Sequence, residues 1–158
     1  MSAFVGVSTS YEDEIYEAFL DSFVRAGVTF LGTRVSAQRR PETKGKGYSF
    51  WHVVSEAPSR QNRNEEDRIP DISRCERVRW IAWAIEQASI DAPGFSWWEN
   101  RRGRGRHVVI WSEQHDYVVI LAARNNYFLL KTAFYGIKPH RRRTFKKERD
   151  AFQRALND

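Results

Sequence analysis

Apolar residues recur at helical spacing in two early stretches of the chain. Between Ile15 and Phe23 they lie on one face of a helix, which predicts an amphipathic helix over about 11–26. A capping box of the form S-x-x-E begins at Ser73 and is followed by a second apolar face. This pattern predicts another helix over about 73–89.

Other stretches combine β-branched and aromatic residues in short runs that are separated by polar segments, a pattern typical of strands. Such runs lie at 28–35, 48–55, 95–99, 107–112, 117–123 and 127–135. A helical pattern returns over 144–156. The polar segments 36–46 and 56–70 predict loops. We therefore expect an α+β fold in which the N-terminal helices pack on one face of a twisted antiparallel sheet of about five strands, with a short C-terminal helix.

Length and composition refine this expectation. The chain has 158 residues, of which 41% are hydrophobic and 14% aromatic, so we expect a folded single domain, 1–158. The net charge is +6 and the pI about 9.7, a balance that favours phosphate-rich partners. Cys75 is the only cysteine, which excludes an intramolecular disulfide and a thiolate metal cluster. The amino terminus has no signal-peptide pattern and no run is long enough to cross a bilayer, so we expect a cytoplasmic protein with no membrane partner.

The run 127–135 carries the candidate chemistry. Lys131 and Thr132 interrupt its apolar residues, and a cluster of cations follows Gly136. Because side chains alternate along a strand, Lys131 shares a face with Tyr135, whereas Thr132 points the other way unless the strand is bulged. We favour Lys131 with Tyr135 as the functional face and interpret Thr132 as structural.

Three short motifs resemble a known superfamily. They are the run FWH (50–52), the terminal strand FLLKTAFYG (128–136) with its basic turn, and KKE (146–148). This combination resembles the small ribonucleases that include barnase, EndoU, certain colicins and RelE-like toxins, and in particular their phage and mobile-element members. The resemblance covers about 48–158 as the ribonuclease core and leaves 11–35 as an extension. It implies metal-independent endoribonuclease activity or a toxin role, without a cofactor.

The resemblance also implies roles for individual residues. His52, in the middle of the predicted strand 48–55, is the candidate general base or acid. Lys131 and Thr132 contact the phosphate in this interpretation, and Tyr135 is a further acid. The expected phosphate- and RNA-binding residues are Arg104, Arg106, His107, His140, Arg141, Arg142 and Arg143. The implied partners are RNA and an acidic protein inhibitor or antitoxin.

The residue types in this set suit the cleavage of RNA without a metal, but each residue also has a structural interpretation. RNA cleavage without a metal requires a base, an acid and cations, which His, Lys, Arg and Tyr supply. We found no carboxylate pair or His/Asp/Cys cluster with metal-ligand spacing in the sheet-forming half, and we expect no metal site. His52 is equally interpretable as a structural histidine, and Lys131 as a lysine whose stem lies along the sheet. For the run 101–106 we favour a solvated turn that adds nonspecific attraction for phosphate. A non-catalytic nucleic-acid-binding or regulatory module and a domain that docks an acidic protein remain the alternative functions.

Overall fold

The structure, a computed structural model, describes residues 9–158, and within them all side chains except those of Thr9 and Arg102. Segment 1–8, on which the expectation of no signal peptide rests, lies outside the described residues. The helices are α1 (Thr9–Phe19), α2 (Tyr48–Val54), α3 (Ile72–Glu76), α4 (Trp80–Ser89) and α5 (Pro139–Asn157). The strands are β1 (Thr29–Phe30), β2 (Thr33–Ala37), β3 (Ser55–Glu56), β4 (Ile69–Pro70), β5 (Phe95–Arg102), β6 (Gly105–Ser112), β7 (Tyr117–Ala123) and β8 (Phe128–Tyr135).

The α+β class is confirmed, but the sheet differs from the prediction. It has six strands in the order β1-β2-β8-β7-β6-β5, and β2 runs parallel to β8, so the sheet is mixed rather than antiparallel. The predicted strand 28–35 is divided into β1 and β2 by a turn in which Leu31 and Gly32 have φ values of 50° and 82°. This turn reverses the chain and brings β2 beside the terminal strand. Strands β3 and β4 form a separate two-stranded sheet.

Helices cover both faces of the main sheet. Buried residues of α1 to α4 pack with one face, where Ile81 and Ile85 of α4 belong to the same buried apolar cluster as Val108 and Leu121 of the sheet. On the other face, Phe145 of α5 is buried against the rings of Trp98 and Trp111, with centroid distances of 5.4 and 5.6 Å. The face opposite α1 to α4 is therefore covered in part by α5.

The segment predicted as the strand 48–55 is a helix. Gly47, with φ −73° and ψ 160°, forms the N-cap of α2, and Phe50, Trp51, Val53 and Val54 are all buried. A helix that is buried on most sides carries a continuous apolar run, which periodicity cannot distinguish from a strand. His52 is therefore a helical residue, and its side chain is 20% exposed.

The predicted helix over 73–89 forms as two helices, α3 and α4, separated by a turn at residues 77–79. Its N-cap is Asp71 rather than Ser73, because the Asp71 carboxylate accepts hydrogen bonds from the backbone N–H groups of Ser73 and Arg74. Cys75 is buried as expected, and burial raises the pKa of its thiol to about 11.

The C-terminal helix is longer than predicted. It begins at Pro139, a residue suited to the first turn because it lacks an N–H group, so the basic run 140–143 belongs to a helix. Among the described residues, no helix combines the length and the apolar composition that crossing a bilayer requires.

Candidate functional site

Helix α2 packs along the edge of β8. Strand β2 pairs with only the first three residues of β8, and α2 lies beside the rest. The Ser49 hydroxyl donates to the carbonyl of Leu130 at 2.9 Å and accepts from the backbone N–H of Gln38 at 2.7 Å. The Thr132 hydroxyl donates to the carbonyl of His52 at 2.8 Å. These bonds hold the helix that carries His52 against the terminal strand.

The register of β8 changes at Lys131. Thr132 is opposite Ile120 and Leu130 is opposite Leu121, so Lys131 is an extra residue and the strand is bulged there. The bulge lets two consecutive side chains approach α2: the Lys131 amine lies 5.9 Å from the ring centroid of Tyr48, while Thr132 bonds to His52. Regular alternation would have sent them to opposite faces.

His52 is paired with a carboxylate. Its Nε2 lies 2.9 and 3.1 Å from the two carboxylate oxygens of Glu65, which belongs to a single 3-10 turn, Glu65–Asp67. The ring of Tyr48, one helical turn earlier, is stacked on the imidazole at a centroid distance of 4.1 Å and an angle of 24°. The side chains of His52 and Glu65 are 20% and 25% exposed, so the pair is partly shielded from water.

Two cations border this pair. Burial lowers the pKa of His52 below its ordinary value of 6.5, the guanidinium of Arg68 and the ammonium of Lys131 lower this pKa further, and Glu65 opposes them. The imidazole is therefore neutral near pH 7, and its contact with Glu65 is a hydrogen bond in which Nε2–H donates. In this tautomer the ring accepts a proton at Nδ1.

Together, Tyr48, His52, Glu65, Arg68 and Lys131 form what we call the His52 site. It combines two groups that can transfer protons with two cations and a phenol. Burial and the nearby Glu65 raise the pKa of Tyr48, so its hydroxyl stays protonated and can donate a hydrogen bond. Arg68 is fixed by its own bonds to Ser55, at 3.0 Å to the hydroxyl and 2.6 Å to the carbonyl. Such a set can hold an anion and move a proton beside it.

Three of the predicted site residues lie in a different place, which we call the Tyr135 cleft. This cleft of about 470 Å³ is lined by Arg60, Arg74, Phe134, Tyr135, His140 and Arg141, among others. Tyr135 follows Lys131 by four residues, about 13 Å along a strand. Its ring is stacked on the guanidinium of Arg77, 3.6 Å from the centroid. The structure therefore separates the predicted pair of Lys131 and Tyr135.

The two places share a basic border. Arg68 of the His52 site and Arg74 of the Tyr135 cleft both donate to the carbonyl of Ser55, at 2.6 and 2.8 Å. Arg74 and Arg141 lie over the ring of Phe134, at 5.8 and 4.9 Å. The cations thus continue from one place to the other.

The rest of the basic run 140–143 is dispersed by the helix. Arg142 forms an ion pair with Asp116 at 2.9 Å and lies 5.6 Å from the ring centroid of Trp111. These contacts fasten α5 to the sheet. Arg143 is exposed on α5.

The remaining predicted residues, Arg104, Arg106 and His107, lie at the opposite end of the sheet from Tyr135. Arg106 forms an ion pair with Glu99 at 2.8 Å. Because Arg106 and His107 are consecutive in β6, their side chains point to opposite faces. The structure therefore divides the predicted phosphate-binding set among three places.

Tyr48, Glu65 and Arg68 were not predicted as site residues from the sequence. The spacing of four residues between Tyr48 and His52 would have placed both on one side of a helix, but the segment was interpreted as a strand. Glu65 and Arg68 lie in a polar loop, where no periodic pattern indicates which side chains turn inward.

No protein-family model, curated protein or solved structure matches this chain. Among the described residues, no group of three or more His, Cys, Asp or Glu side chains is placed to hold a metal ion.

Proposed function

We propose that this protein is a metal-independent endoribonuclease and that the His52 site cleaves RNA. One observation carries the proposal: the imidazole Nε2 of His52 lies 2.9 Å from a carboxylate oxygen of Glu65, and Arg68 and Lys131 are close enough to lower the pKa of the ring. Transfer of a phosphoryl group within RNA needs a base, an acid and positive charge in one place. The resemblance to small ribonucleases and a phage or toxin role are parts of the same proposal.

In the proposed reaction, the 2′-hydroxyl attacks the neighbouring phosphorus. The O2′–P bond forms and the P–O5′ bond breaks, while the proton of the hydroxyl passes to Nδ1 of His52. Glu65 stabilises the resulting imidazolium, and Arg68 stabilises the charge that develops on the phosphoryl oxygens. We assign protonation of O5′ to the Lys131 ammonium, which lies 5.9 Å from the ring centroid of Tyr48 and is close enough to His52 to lower the pKa of the ring. The products are a 2′,3′-cyclic phosphate and a 5′-hydroxyl, and water returns the two side chains to their starting protonation states.

The test is incubation of the purified protein with RNA in EDTA, followed by analysis of the product ends. We expect cleavage with 2′,3′-cyclic phosphate ends, and we expect His52→Ala and Lys131→Ala to remove most of it. Lys147→Ala is a charge-matched control, because Lys147 is exposed on α5. The absence of cleavage by the wild type would overturn the proposal, as would undiminished cleavage by both variants.

Two other outcomes would favour the alternative functions. RNA binding that weakens steeply with salt but is never followed by cleavage would favour a non-catalytic or regulatory module. Copurification with an acidic protein, together with weak RNA binding, would favour a docking domain. A toxin whose inhibitor is acidic would show both copurification and cleavage.

A further inference from the structure

A second cationic place lies at one end of the sheet, where two hairpin tips meet. The turn between β5 and β6 and the loop between β7 and β8 border a cleft of about 600 Å³, which we call the hairpin-tip cleft. It is lined by Arg101, Arg104, Gly105, Arg106, Ala123, Arg124, Asn125, Asn126 and Tyr127. Within the part of the chain that the structure describes, its lining thus combines four arginines with two amides and one phenol.

Repulsion between two of these arginines should lower the stability of the fold. Arg101 is directly opposite Arg106 in the β5–β6 ladder, and like charges in this position are destabilising. Glu99 forms an ion pair with Arg106 at 2.8 Å, but among the described residues the lining of the cleft includes no acidic side chain. Arg104 and Arg124 add further positive charge from the two tips. A surface with this excess of charge suits a polyanion.

Tyr127 adds an aromatic surface to the charge. It is 38% exposed and also lines a neighbouring cleft of about 250 Å³ with Arg34, Ser36 and Asn126. An exposed ring beside cations is the combination on which single-stranded nucleic acids stack their bases. The amides of Asn125 and Asn126 offer both donors and acceptors to base edges.

We propose that the hairpin-tip cleft binds a segment of single-stranded RNA, with phosphates on the arginines and one base stacked on Tyr127. The inference rests on the proposed function for the identity of the polymer and extends it, because it places part of the substrate away from the reacting phosphate. Tyr127, just before β8, precedes Lys131 by four residues, about 13 Å of extended chain. A strand of the length held by small single-strand-binding domains, roughly 4–16 nucleotides, covers this distance.

The first experiment measures binding without cleavage. The probe is a fluorescent, fully 2′-O-methylated RNA oligonucleotide, which has no 2′-hydroxyl to attack the phosphate. We expect Arg104→Ala/Arg124→Ala to bind about tenfold or more weakly and to reduce the salt slope by about 1.4, or about 0.7 for each lost phosphate contact. The control Arg79→Ala/Arg154→Ala removes the same charge elsewhere on the surface, and we expect it to bind almost as the wild type does.

The second experiment separates stacking from charge. Tyr127→Ala should weaken binding roughly 5- to 150-fold, the range that base–aromatic stacking implies, whereas Tyr127→Phe should keep most of the affinity. A double-stranded oligonucleotide should bind less well than the single strand, because its bases are not available to the ring. Equal affinity for both forms together with unchanged binding by Tyr127→Ala would overturn the assignment of single-stranded RNA.

The two proposals can fail separately. If the wild type does not cleave RNA but the hairpin-tip substitutions weaken binding more than their control, the proposed reaction is wrong and the binding cleft stands. If cleavage depends on His52 but the hairpin-tip substitutions and their control bind equally, the cleft is wrong and the reaction stands.

Discussion

Two groups of cations lie at different places in the molecule, the His52 site and the hairpin-tip cleft, and their surroundings differ. At the His52 site, Lys131 and Arg68 are interleaved with an imidazole, a carboxylate and a phenol in a partly buried setting. At the hairpin-tip cleft, the arginines project from the ends of β5 and β6 and from two exposed turns, and an ion pair from Arg106 to Glu99 offsets part of their charge. The first group is held by hydrogen bonds to α2 and to Ser55, whereas the second depends on its turns.

The difference indicates what each group can do. Partial burial and hydrogen bonding shift the pKa of His52 and fix it beside a proton partner, which general acid-base catalysis requires. Exposed arginines attract phosphates and are screened by salt, and the described residues that line this cleft include no histidine and no carboxylic acid. We therefore expect substitutions at the first place to change the rate of reaction and substitutions at the second to change affinity.

The largest expected effect separates the two places in a kinetic experiment. His52→Ala should lower kcat by about 10²- to 10⁴-fold and leave KM nearly unchanged, because the base acts only in the reaction. Arg104→Ala/Arg124→Ala should mainly raise KM. Steady-state cleavage of a single-stranded substrate measures both constants. If both variants lowered kcat alone, the division between chemistry and binding would be wrong.

A smaller effect concerns the pH dependence within the His52 site. Glu65 raises the pKa of His52 and Arg68 lowers it. Because His52 must be neutral to accept the proton, the rate falls as the pH drops through this pKa. Glu65→Gln should therefore move the acid limb of the pH–rate profile to lower pH, and Arg68→Ala should move it to higher pH. If the acid limb moved in the same direction in both variants, the assignment of His52 as the base would be contradicted.

The hydrogen bond that attaches α2 to β8 should contribute to the stability of the fold. Thr132→Val removes the hydrogen bond to the carbonyl of His52 and should lower the free energy of unfolding by about 1 kcal/mol. Thr144→Val is the matched control, because the Thr144 hydroxyl donates to the carbonyl of His140 on the exposed side of α5. Urea denaturation measures both. If both variants lost the same free energy of unfolding, the hydrogen bond at β8 would stabilise the fold no more than the exposed bond in α5 does.

The smallest expected effect is that of Arg101→Thr, which should stabilise the fold and weaken the binding of RNA. Arg101→Thr relieves the repulsion with Arg106 and should raise the free energy of unfolding by about 0.2–1 kcal/mol. The same substitution should weaken binding of single-stranded RNA at the hairpin-tip cleft. A variant that lost stability while keeping its affinity would contradict the view that the fold tolerates these charges for a ligand.

The sequence predicted the β5 to β8 meander well and the surroundings of His52 poorly. Long apolar runs such as 117–123 are strands at the predicted positions, because the buried faces of a sheet leave a strong local pattern. The run 48–55 had the same β-branched and aromatic content but forms a buried helix, so its composition reflects burial on several sides rather than a strand.

The groups of the His52 site could be predicted only in part, for a related reason. Lys131 was evident as a charge within an apolar strand, but the bulge that turns it toward α2 depends on the register with β7. Glu65 and Arg68 come from a loop whose path is set by tertiary contacts, including the bonds from Arg68 to Ser55. Local sequence patterns carry no record of such contacts.

The most direct test of the central claim uses a DNA oligonucleotide that contains one ribonucleotide, in EDTA and with excess protein. We predict a single cut after the ribonucleotide, with a 2′,3′-cyclic phosphate end, and a rate that falls at least about 100-fold in His52→Ala. Cutting at deoxynucleotides, or equal rates for the wild type and His52→Ala, would contradict the account.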